Sequence, residues 1–373
     1  MTSAGVPFSG SYAPHDVQFL LRRLPAQQFT SVADKEALIQ SGRKHYSEML
    51  SPEALPSARY LQVFEDACAA NLQQMARDCL LLAASIAARG GAVTDTPITL
   101  VSLARAGTPV GVLQKRLLEQ VFKRRVSHYS VSIVRDRGID AAALRHILAA
   151  GHAAESIVFI DGWTGKGVIA GELARSVAAF NEAHGVAIDS GLYVLSDLAG
   201  VAACASSARD YLIPSSILNA TVSGLISRTV ISASADEFHG CVYYEQFAPH
   251  DQSRRFVEAV LAAALAQLDG GIDLAALPVQ APERAAAAAT SRACLARLQA
   301  AHAVSDVNLI KPGIGEATRV LLRRVPRLLL VRDAGAPDVR HLVLLAQEKN
   351  VPVVTDPALP YQAVSLIRSA LDG

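Results

Sequence analysis

Ile157-Val-Phe-Ile-Asp-Gly-Trp-Thr-Gly-Lys-Gly167 carries the clearest structural signal in the chain. Four apolar residues open it and predict a buried parallel strand. Asp161 stands at the carboxyl end of that strand. The Thr164-Gly-Lys-Gly167 turn then leads into a helical run over residues 168–180. Strand, acid, glycine-rich turn and helix in this order set bared backbone N–H groups at a helix start, where they hold a phosphate. An acid just before them accepts hydrogen bonds from sugar hydroxyls or faces a metal.

The same rhythm extends outward. Residues 98–103, 129–134 and 192–195 read as strands, and residues 110–122 and 141–150 as helices. Alternation of this kind predicts an α/β fold, a parallel sheet with helices on both faces, whose ligands gather at the carboxyl ends of the strands. Residues 60–88 carry helical periodicity, residues 254–268 form an Ala-rich helix, and residues 1 to about 60 read as loops and short helices. Asp269-Gly-Gly271, Pro278, Pro282 and an alanine run change the character of the chain. The expected division is therefore a large unit over 1–268, a linker over 269–290 and a small unit over 291–373. In the small unit, residues 316–324, 340–349 and 361–371 are predicted helices, and residues 328–331 and 351–355 predicted strands.

Composition narrows the class. The 373 residues are 51% hydrophobic with a formal net charge of +1, which gives no global pull toward nucleic acid. The five cysteines include no C-x-x-C pair, as expected for a reducing cytoplasm and against a structural zinc site. Residues 1–16 lack a basic start followed by an apolar core, so no signal peptide is expected. Apolar runs such as 79–88 are too short to span a bilayer.

Two strand-end loops carry the candidate chemistry. In Arg105-Ala-Gly-Thr108 an arginine fork precedes a glycine turn and a helix, well placed for an anion. With the Asp161 loop on a neighbouring strand, one sheet edge would offer two anion cradles with an acid between them. Arg135, Asp136 and Arg137 lie in a charged, glycine-containing loop over 134–140 that suits a lid. The Gly165-Lys-Gly167 run is no nucleotide-binding P-loop, because its glycine spacing is too short and Gly167 stands where Ser or Thr is needed. Asn219, Ser223, Ser227 and Arg228 form a polar stripe at near-helical spacing.

These motifs resemble the type I phosphoribosyltransferases, whose signature is an apolar run, one or two acids, a spacer and Thr-Gly. Here Gly162 stands in the place of the second acid. The resemblance implies that Asp161 binds the ribose hydroxyls of phosphoribosyl pyrophosphate. It implies that Thr164, Gly165, Lys166 and Gly167 hold its 5′-phosphate, and that Arg105, Ala106, Gly107 and Thr108 hold the pyrophosphate with Mg²⁺. The implied reaction transfers the phosphoribosyl group, with charge on the leaving group stabilised by Arg105 and backbone dipoles.

A longer resemblance covers most of residues 8–260. Ser9-Gly-Ser-Tyr12, Ile39-Gln-Ser-Gly42, His45-Tyr-Ser-Glu-Met49, Asp210-Tyr-Leu-Ile-Pro214 and residues 218–229 are similar to the StiP family of tellurium-resistance and stress gene clusters. Its members are often labelled cysteine proteases. That label makes Cys241, near His239 and Asp236, and Cys204 the alternative nucleophiles, with His45 and Glu48 as further candidates. A third reading is a nucleotide-sensing RNA-binding protein without turnover.

Residues 308–318 resemble the Pelota-like RNA-binding fold, a small α-β-α unit in which a Lys-x-Gly-x-x-Glu segment opens a helix against RNA. Lys311, Gly313 and Glu316 occupy those places, and Arg319, Arg323 and Arg324 add positive charge. Partners compatible with these resemblances are a phosphorylated sugar, RNA through the C-terminal unit and a second copy of the chain, with no membrane.

Overall fold

Aliphatic and β-branched runs form the strands where the sequence places them, and pairing extends several of them. The computed structural model describes residues 5–25, 48–50, 52–89, 96–274, 281–323 and 326–367. In chain order the strands are β1 (Gln18–Leu20), β2 (Arg22–Arg23), β3 (Ile98–Ala104), β4 (Val126–Val134), β5 (Gly138–Ile139), β6 (Ile157–Thr164), β7 (Leu192–Asp197), β8 (Cys204–Ser207) and β9 (Gly240–Cys241). β10 (Ile310–Pro312), β11 (Pro326–Val331), β12 (Val353–Thr355) and β13 (Ala363–Ile367) follow. The helices are α1 (Ala58–Ala87), α2 (Thr108–Gln120), α3 (Ala141–Ala149), α4 (Val168–His184), α5 (Ser253–Asp269), α6 (Ala281–Ala301), α7 (Ile314–Arg323) and α8 (Arg340–Glu348).

The central sheet runs β1-β4-β3-β6-β7-β8, parallel throughout, with β5 antiparallel on β4. Side chains alternate between its faces. Ile98, Leu100, Val158 and Ile160 share a core with α1, α2 and α5. Val101, Leu103, Ile157 and Phe159 share the opposite core with α3 and α4. The chain is thus mixed α/β, with a mainly parallel sheet between two helical layers. No helix among the described residues is long and apolar enough to cross a membrane.

The C-terminal sheet has the order β10-β13-β11-β12, with β13 antiparallel to both neighbours and β11 parallel to β12. Ile310, Leu330, Val364 and Leu366 pack there against Leu295 and Leu298 of α6. Ile314, Ala317 and Leu321 of α7 instead join the large core on the α1 face. The two sheets are therefore packed through shared apolar surface as well as through the chain.

Several expectations need correcting. β6 runs four residues beyond Ile160, because Trp163 and Thr164 pair with Ser196 and Asp197 of β7. Asp161 is thus a strand residue, and the open turn shrinks to Gly165–Gly167. The helix expected over 361–371 is a strand over Ala363–Ile367, where all five residues are buried and the backbone pairs on both sides. Residues 368–371 lie outside the described residues. The polar stripe at 219–228 is not helical: a single 3₁₀ turn spans Ala220–Val222, and Gly224 and Leu225 have φ of 81° and 61°. Within the stretch expected as a linker, α6 begins at Ala281. Residues 39–42, His45 and Arg324 also lie outside the described residues.

Gly107 has a packing role that the sequence did not reveal. A Cβ there would stand 2.7 Å from the Ile160 carbonyl oxygen and 3.0 Å from the Leu103 backbone. The turn after β3 crosses β6 at this point with no room for a side chain. Gly107→Ala is expected to cost about 2 kcal/mol, read as a lowered midpoint in thermal melts.

Candidate functional site in the crevice between β3 and β6

β3 and β6 are neighbours, yet the helices that follow them leave to opposite faces. Val110 and Leu113 of α2 lie in one core, and Leu173 and Val177 of α4 in the other. The two turns therefore part above the sheet and open a crevice at the switch in strand order. A cavity of about 510 Å³ occupies it. Arg105 and Ala106 line it after β3, Arg135 after β4, Asp161 and Trp163 on β6, and Lys166 in the following turn. Lys311, Glu316 and Arg319 line it from the C-terminal part, so both sheets build one wall.

Geometry separates the residues the sequence singled out. Thr164, Gly165 and Gly167 reach the cavity. The Thr164 hydroxyl donates to Asp197, and Gly167 takes φ of 80° as α4 begins. Thr108 is drawn away, its hydroxyl 2.7 Å from the Ser130 hydroxyl in the interior. The Asp136 N–H donates to Glu172, and Arg137 pairs with Glu48 at 3.6 Å, so of the expected lid residues Arg135 reaches the wall. Gly313 packs under the turn against Leu198 and Asp210.

Arg105 does not stand free for an anion. Its Nη1 is 2.7 Å from Glu53 Oε1 and donates to the Ile226 carbonyl at 2.7 Å. Glu53, Arg228 and Thr229 also line the cavity. No sequence motif marks Glu53, which lies in a stretch without periodic pattern.

Burial pushes the Asp161 carboxyl up to about 7. The Gly162 N–H and the Arg319 charge pull against that rise, while Glu316 adds to it. Burial, followed by the nearby charges of Lys311 and Arg135, pulls the Lys166 ammonium down to about 8. Crowding of like charge at this depth suits a site that receives an anion. The Lys166 ammonium donates to the Val307 carbonyl at 2.8 Å, reaching across to the C-terminal part.

The five cysteines are free thiols, and none of them lines this cavity. Cys241 is wholly buried, and burial pushes its thiol up to about 12, against the pull of Arg23 and Arg105. Cys204 is 7% exposed, and its thiol is likewise raised by burial. Its place at the start of β8 points it toward α1, where Ser85 contacts it. His239 lies two residues before Cys241, but its Nδ1 is 2.8 Å from the Ser132 hydroxyl. Among the described residues no group of three or more His, Cys, Asp or Glu is gathered as metal ligands are.

Comparison with known proteins sets the reaction class apart from the expectation. Residues 10–261 match the family model for the tellurite-like stress resistance cysteine protease StiP. The chain is also 42% identical over 375 residues to the cysteine protease StiP of Acinetobacter baylyi, covering 97% of this chain and 94% of that protein. The chain belongs to the StiP family. Residues 289–369 match the model of the PELOTA RNA binding domain. No solved structure matches.

For this StiP family member the expected phosphoribosyl transfer from phosphoribosyl pyrophosphate is overturned. The family and the full-length relative are both named as cysteine proteases, hydrolases rather than glycosyltransferases. Turns at the carboxyl ends of a parallel sheet serve many chemistries, so the resemblance of two loops does not by itself fix the reaction.

Proposed function

We propose that the chain is a cysteine-dependent hydrolase acting on an anionic substrate, such as an acidic peptide, held in the cavity between the two sheets. Likeness along nearly the whole chain to a relative named cysteine protease StiP is the observation that carries the reaction class. The cations Arg135, Lys166, Lys311 and Arg319 at the wall support the charge of the substrate. Asp161, half-protonated near neutral pH, is the group best suited to move a proton.

Cys241 is the favoured nucleophile, because its thiol lies within electrostatic reach of Arg105 on the cavity wall. A thiol at about 12 is inert in the arrangement described. Activity therefore requires it to be uncovered, and a substrate carboxylate that competes with Glu53 for Arg105 supplies a trigger. Casein, an acidic and loosely folded protein, tests this reading. Iodoacetamide is expected to abolish casein cleavage in step with alkylation of Cys241, and faster when casein is present. Cleavage that survives complete alkylation of Cys241 would remove the thiol from the mechanism.

A second reading rests on the match of residues 289–369 to an RNA-binding domain. Lys311, Glu316 and Arg319 face the cavity, so RNA held by them enters the same crevice. Lys311→Gln is then expected to weaken binding of a short single-stranded RNA about tenfold at low salt, measured by mobility shift. Equal affinity in the variant would count against RNA contact at this face.

A further inference from the structure

Asp210 belongs to the loop that follows β8, yet its side chain is committed to the C-terminal part. Its Oδ1 accepts the Ile314 N–H at 2.8 Å, and its Oδ2 accepts the Gln362 N–H at 2.8 Å. These N–H groups open α7 and lead into β13. The Gly313 N–H donates to the Ala363 carbonyl at 2.8 Å, which ties the two segments together beneath the carboxylate. Gly313 has φ of 91°, and a Cβ there would stand 2.8 Å from Leu198 and 3.3 Å from Asp210 Oδ1. The turn is therefore shaped around the carboxylate, a concave set of backbone donors of the kind that receives anions.

The position of this contact matters for the cavity. Lys311 lies three residues before Ile314, and Glu316 and Arg319 lie in the first turns of the helix that Ile314 opens. All three line the cavity wall. Fixing the Ile314 N–H fixes the axis from which they project. Burial raises the Asp210 carboxyl to about 6, so the bonds are made by a carboxylate that is costly to keep ionised.

We propose that Asp210 is a positioning residue: seated in a backbone cradle of the C-terminal part, it holds Lys311, Glu316 and Arg319 at the cavity, which is complete only while that seat is filled. The inference rests on the cavity being the substrate site, but its test does not. Trp163, the one tryptophan of the chain, reports the seat directly. A Cβ on Gly315 would lie 3.8 Å from its ring, and the Arg319 guanidinium stands 6.0 Å from the ring centroid.

The experiment compares Trp163 emission and iodide quenching in the full-length chain and in Asp210→Ala, well below the melting temperature and at unchanged circular dichroism. Quenching is expected to rise about two-fold in the variant, as local opening exposes the ring. Millimolar acetate, refilling the vacated cradle, is expected to reverse that rise. Asp210→Asn keeps the shape but sets an amide N–H against a backbone N–H, so it should raise quenching without acetate rescue, and it carries the test if the alanine variant fails to fold. Unchanged quenching in the folded variants, or a rise in Asp210→Ala that acetate leaves untouched, overturns the proposal. Absence of casein cleavage by the wild-type chain would strike the hydrolase reading alone and leave the fluorescence result standing.

Discussion

Asp161→Asn is expected to lower turnover about 100-fold and, at pH 8, to raise the melting temperature of the chain. Both effects follow from the same burial. The carboxyl titrates near 7 in the folded chain, against an ordinary 3.8. The folded state therefore holds this proton more tightly than the unfolded state does. The contribution of Asp161 to stability is fully present below pH 4 and is lost as the pH rises toward 7. Above 7 the fold carries an ionised carboxylate that it solvates poorly. Asparagine removes that penalty, at most about 4 kcal/mol and about half of it once partial exposure to the cavity is counted. Melts at pH 8 and pH 4.5 should show a gain of a few degrees at the first pH and almost none at the second. A variant that is no more stable at pH 8 would show that the carboxylate is well solvated after all. A variant that keeps full turnover would remove Asp161 from the proton transfer.

The second large effect belongs to the thiol. Cys241→Ala is expected to lower casein cleavage by about a thousand-fold or more, while Cys204→Ala stays within about two-fold of the parent. Alanine is the better probe than serine. Cys241 sits in a wholly buried, mostly apolar environment, where a serine hydroxyl without a partner costs about 1–3 kcal/mol and confuses lost folding with lost chemistry. Alanine leaves only a small void. Equal activity in Cys241→Ala and the parent would turn attention to the hydroxyls at the cavity, Thr229 among them. Thr229 accepts a 2.6 Å hydrogen bond from Ser132, whose oxygen also lies beside His239.

Local pattern made the central sheet legible. The runs at 98–103 and 157–160 are apolar because both faces of these strands are covered, and a strand covered on both faces has few alternative readings. The glycines of the turn after β6 were legible for a related reason, since Gly167 occupies a left-handed conformation that few other residues adopt. The strand at 363–367 was misread because Ala363-Val-Ser-Leu-Ile367 is short and wholly buried, and period alone cannot tell such a run from a helix. The ion pair between Glu53 and Arg105 was invisible, because 52 residues separate a patternless segment from a strand end. Arg105 read alone looked like a free anion ligand, whereas its partner comes from elsewhere in the chain.

The alternation of strands and helices, the glycine-rich turn after β6 and the likeness to a family are legible in the chain's order of residues alone, because each is written in neighbouring residues or in an ordered series of motifs. Folding in three dimensions is what sets Lys311, Glu316 and Arg319 on one wall with Asp161 and Lys166, seats Asp210 against the turn carrying them, and buries both candidate thiols. Those facts depend on which surfaces exclude water when distant segments meet. Burial is also what moves the carboxyl, the ammonium and the thiol away from their ordinary protonation, and no local stretch of residues encodes it.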